Sequence, residues 1–148
     1  MASSLEARLD EFAPAVISLF RVVMGFLFTL SGTAALFGWP VNKGIAPVGS
    51  FPFWWAGVIQ LITGLLIMFG LFTRLAAFIA SGQMAVAYFW QHQPHGLLPA
   101  QNGGEGAVLY CFVFFLLVFV GGGAYSLDAL RRTRQPTAAA AGPAMSER

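Results

Sequence analysis

The apolar positions of this chain fall into four long runs, Pro14 to Phe37, Pro52 to Phe72, Leu75 to Trp90 and Gly106 to Gly122, separated by short polar segments. A helical crossing of the hydrocarbon core takes about 20 predominantly apolar residues, so the runs predict four transmembrane helices, the third being the shortest. Runs such as Phe112 to Val120 are apolar on every face, which excludes the two-residue alternation of a membrane barrel. Helices remain, because lipid offers no partner to unpaired backbone groups. The pattern predicts an all-α, polytopic membrane protein, an antiparallel four-transmembrane-helix bundle over residues 14–130. The link at Thr73 and Arg74 is so short that the second and third helices must be neighbours.

The flanks read differently. Leu5, Leu9 and Phe12 share one helical face, and Ser3 and Glu6 have capping-box spacing. Residues 1–13 are therefore expected to form a short interfacial amphipathic segment. Glu6, Asp10 and Glu11 outnumber Arg8 there, unlike the basic start of a cleaved signal, so the first helix is expected to be retained as an anchor. Residues 131–148 are rich in Ala and broken by Pro136, Gly142 and Pro143, the pattern of a disordered cytoplasmic tail.

Composition agrees with the pattern, at 57% hydrophobic, 9% charged and mean hydropathy +0.72, against about 25% charged in a soluble domain. The few charges orient the chain. Arg8, Arg74, Arg131, Arg132, Arg134 and Arg148 fall on one side of the predicted bundle and Lys43 on the other. Basic residues are held on the cytoplasmic side, so the N-terminus and the C-terminus are both expected there. Trp39, Trp54, Trp55 and Trp90 fall at the opposite ends of the spans, as an aromatic belt would. The bilayer is the one certain partner, and no nucleic-acid partner is expected.

Within the spans, most small or polar positions suit close helix packing, as in the stripe Arg21, Gly25, Thr29, Gly32 and Thr33. Arg21 stands apart, since a charge at that depth costs at least about 2.5–3.5 kcal/mol. Its depth matches Gly121 to Gly123 on the fourth helix, with Asp128 just beyond. An Arg21–Asp128 ion pair is expected, the guanidinium snorkelling to the interface with the Tyr125 hydroxyl as a further contact; the alternative is an anion or headgroup site on Arg21. Gln60 and Gln83 also demand partners in lipid. They can bond each other across two helices, or hold the oxygens of a quinone head in an apolar pocket that Tyr88, Tyr110 and several Phe side chains would suit.

In the outer loop and the first turn of the fourth helix, His92, His95 and Glu105 offer a proton or cation role. The helix macrodipole by itself accounts for Glu105. Two histidines in a loop with one distant carboxylate do not define a ligand set, so no metal is expected. Cys111 is the one cysteine and no histidine lies within a span. A dithiol couple, an iron–sulfur cluster and an intramembrane haem therefore find no ligands in a single chain. Glycine-rich phosphate loops and dinucleotide fingerprints are missing as well. The chain itself is expected to hold no cofactor unless it binds a quinone, and a redox role would need that quinone or a partner carrying the centre.

Read in order, the polar and small residues resemble the DoxX family over about residues 16–130: Arg21, Gly25, Phe28, Ser31 and Gly32; Gly64 to Gly70 followed by Thr73, Arg74, Leu75 and Ala76; Asn102, Gly103, Gly104 and Glu105; and Gly121, Gly123, Tyr125, Ser126, Leu127 and Asp128. The resemblance implies a four-helix protein of the prokaryotic cytoplasmic (inner) membrane, and some relatives form the membrane subunit of a thiosulfate:quinone oxidoreductase. It thereby implies association with redox or sulfur metabolism and, as partners, soluble oxidoreductase or sulfur-transfer proteins. Where such proteins often carry a Glu on the second helix, this chain has Gln60, and a neutral amide cannot relay a proton. Three readings follow: a quinone-binding subunit with Arg21, Gln60, Gln83 and Tyr110 as site candidates; a non-enzymatic membrane anchor or scaffold whose Arg131, Arg132 and Arg134 meet anionic lipid; and a small-solute permease, which would need a homo-oligomer to enclose a path.

Overall fold

A computed structural model describes residues 4–42 and 44–133. Ser3, Lys43 and residues 134–148 of the expected tail, with Arg134 and Arg148, lie outside the described residues. Everything regular in the described part is helical, with no strand. Helix α1 spans Ser4–Phe37, α2 Phe53–Phe69, α3 Thr73–Ala87, α4 Pro99–Asn102, α5 Glu105–Val120 and α6 Leu127–Thr133.

The long helices follow the apolar runs, and the differences from expectation lie at their ends. α1 runs for 34 residues with Pro14 inside it, so the amphipathic N-terminal residues continue the first apolar helix and form no separate element. Proline removes only one intrahelical bond here, while the Pro14 carbonyl accepts from the Ser18 hydroxyl at 2.8 Å. α2 ends where Gly70 turns left-handed (φ 71°), its N–H bonding Ile67 O and that of Leu71 bonding Leu66 O, the pattern that satisfies orphan carbonyls at a helix end. α3 does not stop at Trp90. It widens into a π turn, Tyr88–His92, and closes on a 3₁₀ turn, Gln93–His95. α6 was read from sequence as the edge of a span and the start of a tail. It is a helix because Ser126 Oγ accepts from Ala129 N–H at 3.1 Å, an N-cap interaction.

α1 packs on α2, α2 on α3 and α3 on α5. Phe28 of α1 meets α5 edge-on, 4.7 Å from the Phe114 ring, beside Tyr110. The α1–α2 contact is backbone to backbone: a Cβ on Gly25 would lie 2.5 Å from Met68 N, and one on Gly64 2.7 Å from Thr29 N. Small residues allow this approach. Burial is inverted relative to a water-soluble protein. Ser18, Arg21, Thr29, Thr63, Thr73 and Ser81 are buried, while Phe78, Leu109, Phe112 and Phe119 are each more than 60% exposed. α1 is the one described helix long and apolar enough by itself to cross a membrane. α2 and α5 are equally apolar in character but shorter, at 17 and 16 residues. Such large apolar side chains facing outward give the molecule the character of a helical membrane protein.

Candidate functional site

Polar side chains gather in two places. The first lies where α1 passes the end of α2 and the segment joining α5 to α6. Arg21, 1% exposed, donates from Nε to Gly122 O (2.8 Å), from Nη1 to Ile67 O (2.6 Å) and Met68 O (2.5 Å), and from Nη2 to Tyr125 O (2.7 Å). Ile67 and Met68 belong to the last turn of α2, whose carbonyls lack intrahelical donors and form the negative end of its dipole. A planar guanidinium can address several such oxygens at once. Gly70 makes room for it, since a Cβ there would sit 2.9 Å from Arg21 Cζ.

Asp128 does the complementary task. Its Oδ1 accepts from Phe72 N–H (2.9 Å), and its Oδ2 from Thr73 N–H and the Thr73 hydroxyl (both 2.8 Å). The start of α3 has no cap of its own from Phe72; a carboxylate carried on α6 supplies it. Phe72 sits at φ 49°, the one positive φ outside glycine among the described residues. An aromatic residue adopts that region only under restraint, and Asp128 provides it. Burial pushes the Asp128 carboxyl up, but the N–H and hydroxyl of Thr73, the N–H of Phe72 and the charge of Arg132 together hold it below the usual carboxylate range.

The expected Arg21–Asp128 ion pair is therefore corrected. Asp128 acts on Arg21 through its field, but each group's hydrogen bonds go elsewhere, mostly to backbone. Arg21 is enclosed by protein, and Tyr125 contributes its carbonyl, its side chain being 75% exposed. Four of the five guanidinium N–H groups are on carbonyls and the side chain is 1% exposed, which leaves one donor and little access for an anion at Arg21.

The second place is a cavity of about 430 Å³ between α2 and α3 at their tryptophan-bearing ends. Trp55, Ile59, Ile79, Val86 and Trp90 wall it, and Gln60, Gln83, Gln91 and His92 are its polar members. Gln60 and Gln83 share the cavity without the bridge between them that the sequence allowed. Gln83 Oε1 is buried with no hydrogen-bond partner, an uncompensated polar atom of the kind that costs free energy until something donates to it. Gln60 also borders a second cavity of about 720 Å³, between α1, α2 and the 40–47 segment.

His92 enters this cavity because the π turn carries the α3 path past Trp90. Its Nδ1 lies 3.2 Å from Asn102 O. A carbonyl only accepts, so Nδ1 is the donor in this contact and Nε2 is the ring nitrogen not engaged in it. Asn102 organises the turn as a whole: its amide donates to Gly96 O (2.8 Å) and its Oδ1 accepts from Gly104 N–H (2.8 Å).

The other sequence candidates are not brought here. Tyr110 stands between α1 and α5, 5.3 Å from the Phe28 ring, with Ser31 beside its hydroxyl. Glu105 opens α5 in an exposed position and makes no ion pair with His92, and His95 turns back to Gln91 O at 2.9 Å. No group of three or more His, Cys, Asp or Glu side chains suited to a metal occurs among the described residues. Trp55 and Trp90 are the cavity residues that the sequence pattern assigns to the aromatic belt; the seven-residue spacing of Gln83 and Trp90, about two helical turns, was the available signal.

Comparison with known proteins gives one family: its model, described as DoxX, matches residues 16–93. An uncharacterized protein of Haemophilus influenzae is 40% identical over 125 residues, covering 81% of this chain and 93% of the relative. A second uncharacterized protein of the same organism is 31% identical over 78 residues, 53% of this chain and 52% of that relative. No solved structure matches.

Proposed function

This chain belongs to the DoxX family, and from that premise we propose that it is a multi-pass protein of the prokaryotic cytoplasmic membrane that binds a quinone-class head group between α2 and α3 and docks soluble oxidoreductase or sulfur-transfer partners. In this reading α1, α2, the α3 path through His95 and α5 cross the bilayer, with both termini cytoplasmic. The 17 and 16 residues of α2 and α5 are at the short end of spans near 17–25 residues. The tryptophans Trp55 and Trp90 then lie at the outer interface.

The observation that carries the proposal is the cavity wall: the amides of Gln60 and Gln83 among mostly apolar residues, with Gln91 and His92 as the other polar members and the Gln83 oxygen buried without a partner. Ligand sites pair apolar walls with a few orienting polar groups in this way. An amide presents both a donor and an acceptor, so it suits the carbonyl of a quinone and the hydroxyl of a quinol. Neither glutamine can move a proton; His92 on the same wall, with Nε2 not engaged by Asn102, is the group that can. Thiosulfate or another sulfur donor would deliver electrons through a partner, as the chain offers no centre of its own.

Gentle purification from native membranes followed by mass spectrometry of the lipid extract and of co-purifying proteins tests this. Quinone held by the wild type and lost in Gln60→Leu, with soluble oxidoreductases alongside, is the expected result; full retention of quinone in the variant contradicts the site. A second reading, a non-enzymatic anchor for such partners, is favoured by the use of Arg21 and Asp128 in tying helix ends together. It expects partners without quinone and a Gln60→Leu protein that assembles normally.

A further inference from the structure

Arg74 and Arg132 flank a third, smaller cavity of about 240 Å³ at the ends of the helices far from the tryptophans. Phe72, Thr73 and Leu75 at the start of α3, Gly121 and Gly122 after α5, and Asp128 complete its lining. Arg74 donates from Nη1 to Val118 O at 3.1 Å, capping the end of α5. That uses one of its five N–H donors. Gly121, with φ 82° and no Cβ, leaves open the side of the guanidinium that carries Nε and Nη2, each 3.5 Å from where a Cβ would stand. Arg132 is exposed and makes no hydrogen bond to the backbone of the described residues.

The one carboxylate in the lining is engaged: Asp128 Oδ1 accepts from Phe72 N–H, and Oδ2 from the N–H and hydroxyl of Thr73. Two guanidinium groups against that single carboxylate leave the cavity with one net positive charge even with Arg132 acting on Asp128, and Arg131, 5.1 Å above the Phe72 ring, adds to the field. We propose that this cavity binds a phosphate-class anion, supplied by the phosphodiester of an anionic phospholipid. One feature of the cavity favours lipid over a free anion. Its rim is apolar, Phe72 and Leu75 being exposed, and Phe78 on α3 and Phe119 on α5 continue that surface away from the arginines, as a track for acyl chains. Basic clefts between transmembrane helices on the cytoplasmic side recognise lipid head groups by this combination, and arginine is suited to a phosphate by its paired donors. This inference is independent of the quinone cavity.

The test uses the full chain, purified in detergent, stripped of lipid and incubated in turn with phosphatidylglycerol, phosphatidylcholine and inorganic phosphate, with native mass spectrometry and thermal unfolding as readouts. Wild type is expected to retain phosphatidylglycerol about tenfold better than phosphatidylcholine, a preference worth charge-assisted bonds, and to be stabilised by it. Arg132→Gln removes charge without touching the α5 cap and is expected to lose most of that preference, whereas Arg8→Gln is expected to keep it. An unchanged preference in Arg132→Gln, or its equal loss in Arg8→Gln, overturns the site. Stabilisation by inorganic phosphate equal to that by phosphatidylglycerol, abolished by Arg132→Gln, overturns lipid as the source.

Discussion

A guanidinium that donates to four backbone carbonyls cannot be replaced by an ammonium, which concentrates three donors at one point. Arg21→Lys is therefore expected to destabilise the protein by about 3 kcal/mol, within the range for breaking a buried charged network, read as a lower midpoint in thermal unfolding in detergent. Exchanging the charges, with Asp at 21 and Arg at 128, is expected to fail to restore expression, because neither group's partner is the other. Rescue by the exchange would show that the pair is the operative contact. Asp128 carries a pH signature. Its carboxyl is held below the usual range in the folded protein, so its contribution is fully present above the unfolded value of about 3.9 and is lost as pH falls through the lower folded value. Wild type should lose stability over that acid interval and Asp128→Asn should be flatter through it. The sequence announced Arg21 as out of place and Asp128 as the counter-charge near its depth. It could not announce their partners, because backbone carbonyls and amides carry no residue-type signal.

Helix ends and crossings are where sequence and structure part. The apolar runs locate α1, α2, α3 and α5 because hydropathy integrates over a whole span. The continuity of α1 through Pro14, the π turn after Ala87 and the helix Leu127–Thr133 depend on single capping bonds and on packing of neighbours, which a hydropathy window does not see. The Ser126 N-cap spacing was present in the sequence and was absorbed into a family motif. Crossings were partly legible: Gly25 and Gly32 fall in the packing stripe of the first helix, and in the structure they and Gly64 bring the backbones of α1 and α2 close together. Gly64→Ala places its methyl 2.5 Å from Thr29 Oγ1 and 2.7 Å from Thr29 N, so it is expected to cost about 1–3 kcal/mol as overpacking. Gly106→Ala meets nothing within 4 Å and is expected to be neutral or stabilising by up to about 1 kcal/mol. Equal unfolding midpoints for the two variants would contradict the α1–α2 interface.

For the whole molecule, the arrangement is one of polar ties at one end and an apolar chamber at the other. Arg21 joins α1, α2 and the α5–α6 segment, Asp128 joins α6 to α3, and Arg74 closes α5. Above that tied end, α2 and α3 enclose the cavity with Gln60, Gln83 and His92. The proposed topology places the ties in the cytoplasmic half and the chamber mouth outside. In a Cys111→Ala background, Arg8→Cys should react with a membrane-impermeant maleimide only after permeabilisation and Gln101→Cys in intact cells; the reverse pattern would invert the topology.

The candidate ligand residues Gln60 and Gln83 were legible as amides in lipid. Their convergence on one chamber was not, because it depends on the relative rotation of two helices. Whether that chamber takes a quinone is most directly read by titrating the purified protein with a soluble quinone analogue and following tryptophan quenching, since Trp55 and Trp90 line its walls. Saturable quenching in wild type, with affinity weakened about three- to tenfold in Gln83→Leu as one amide hydrogen bond is lost, is the predicted result. Non-saturating quenching, or the same affinity in Gln83→Leu and in the Gln60→Leu/Gln83→Leu double variant, would contradict it.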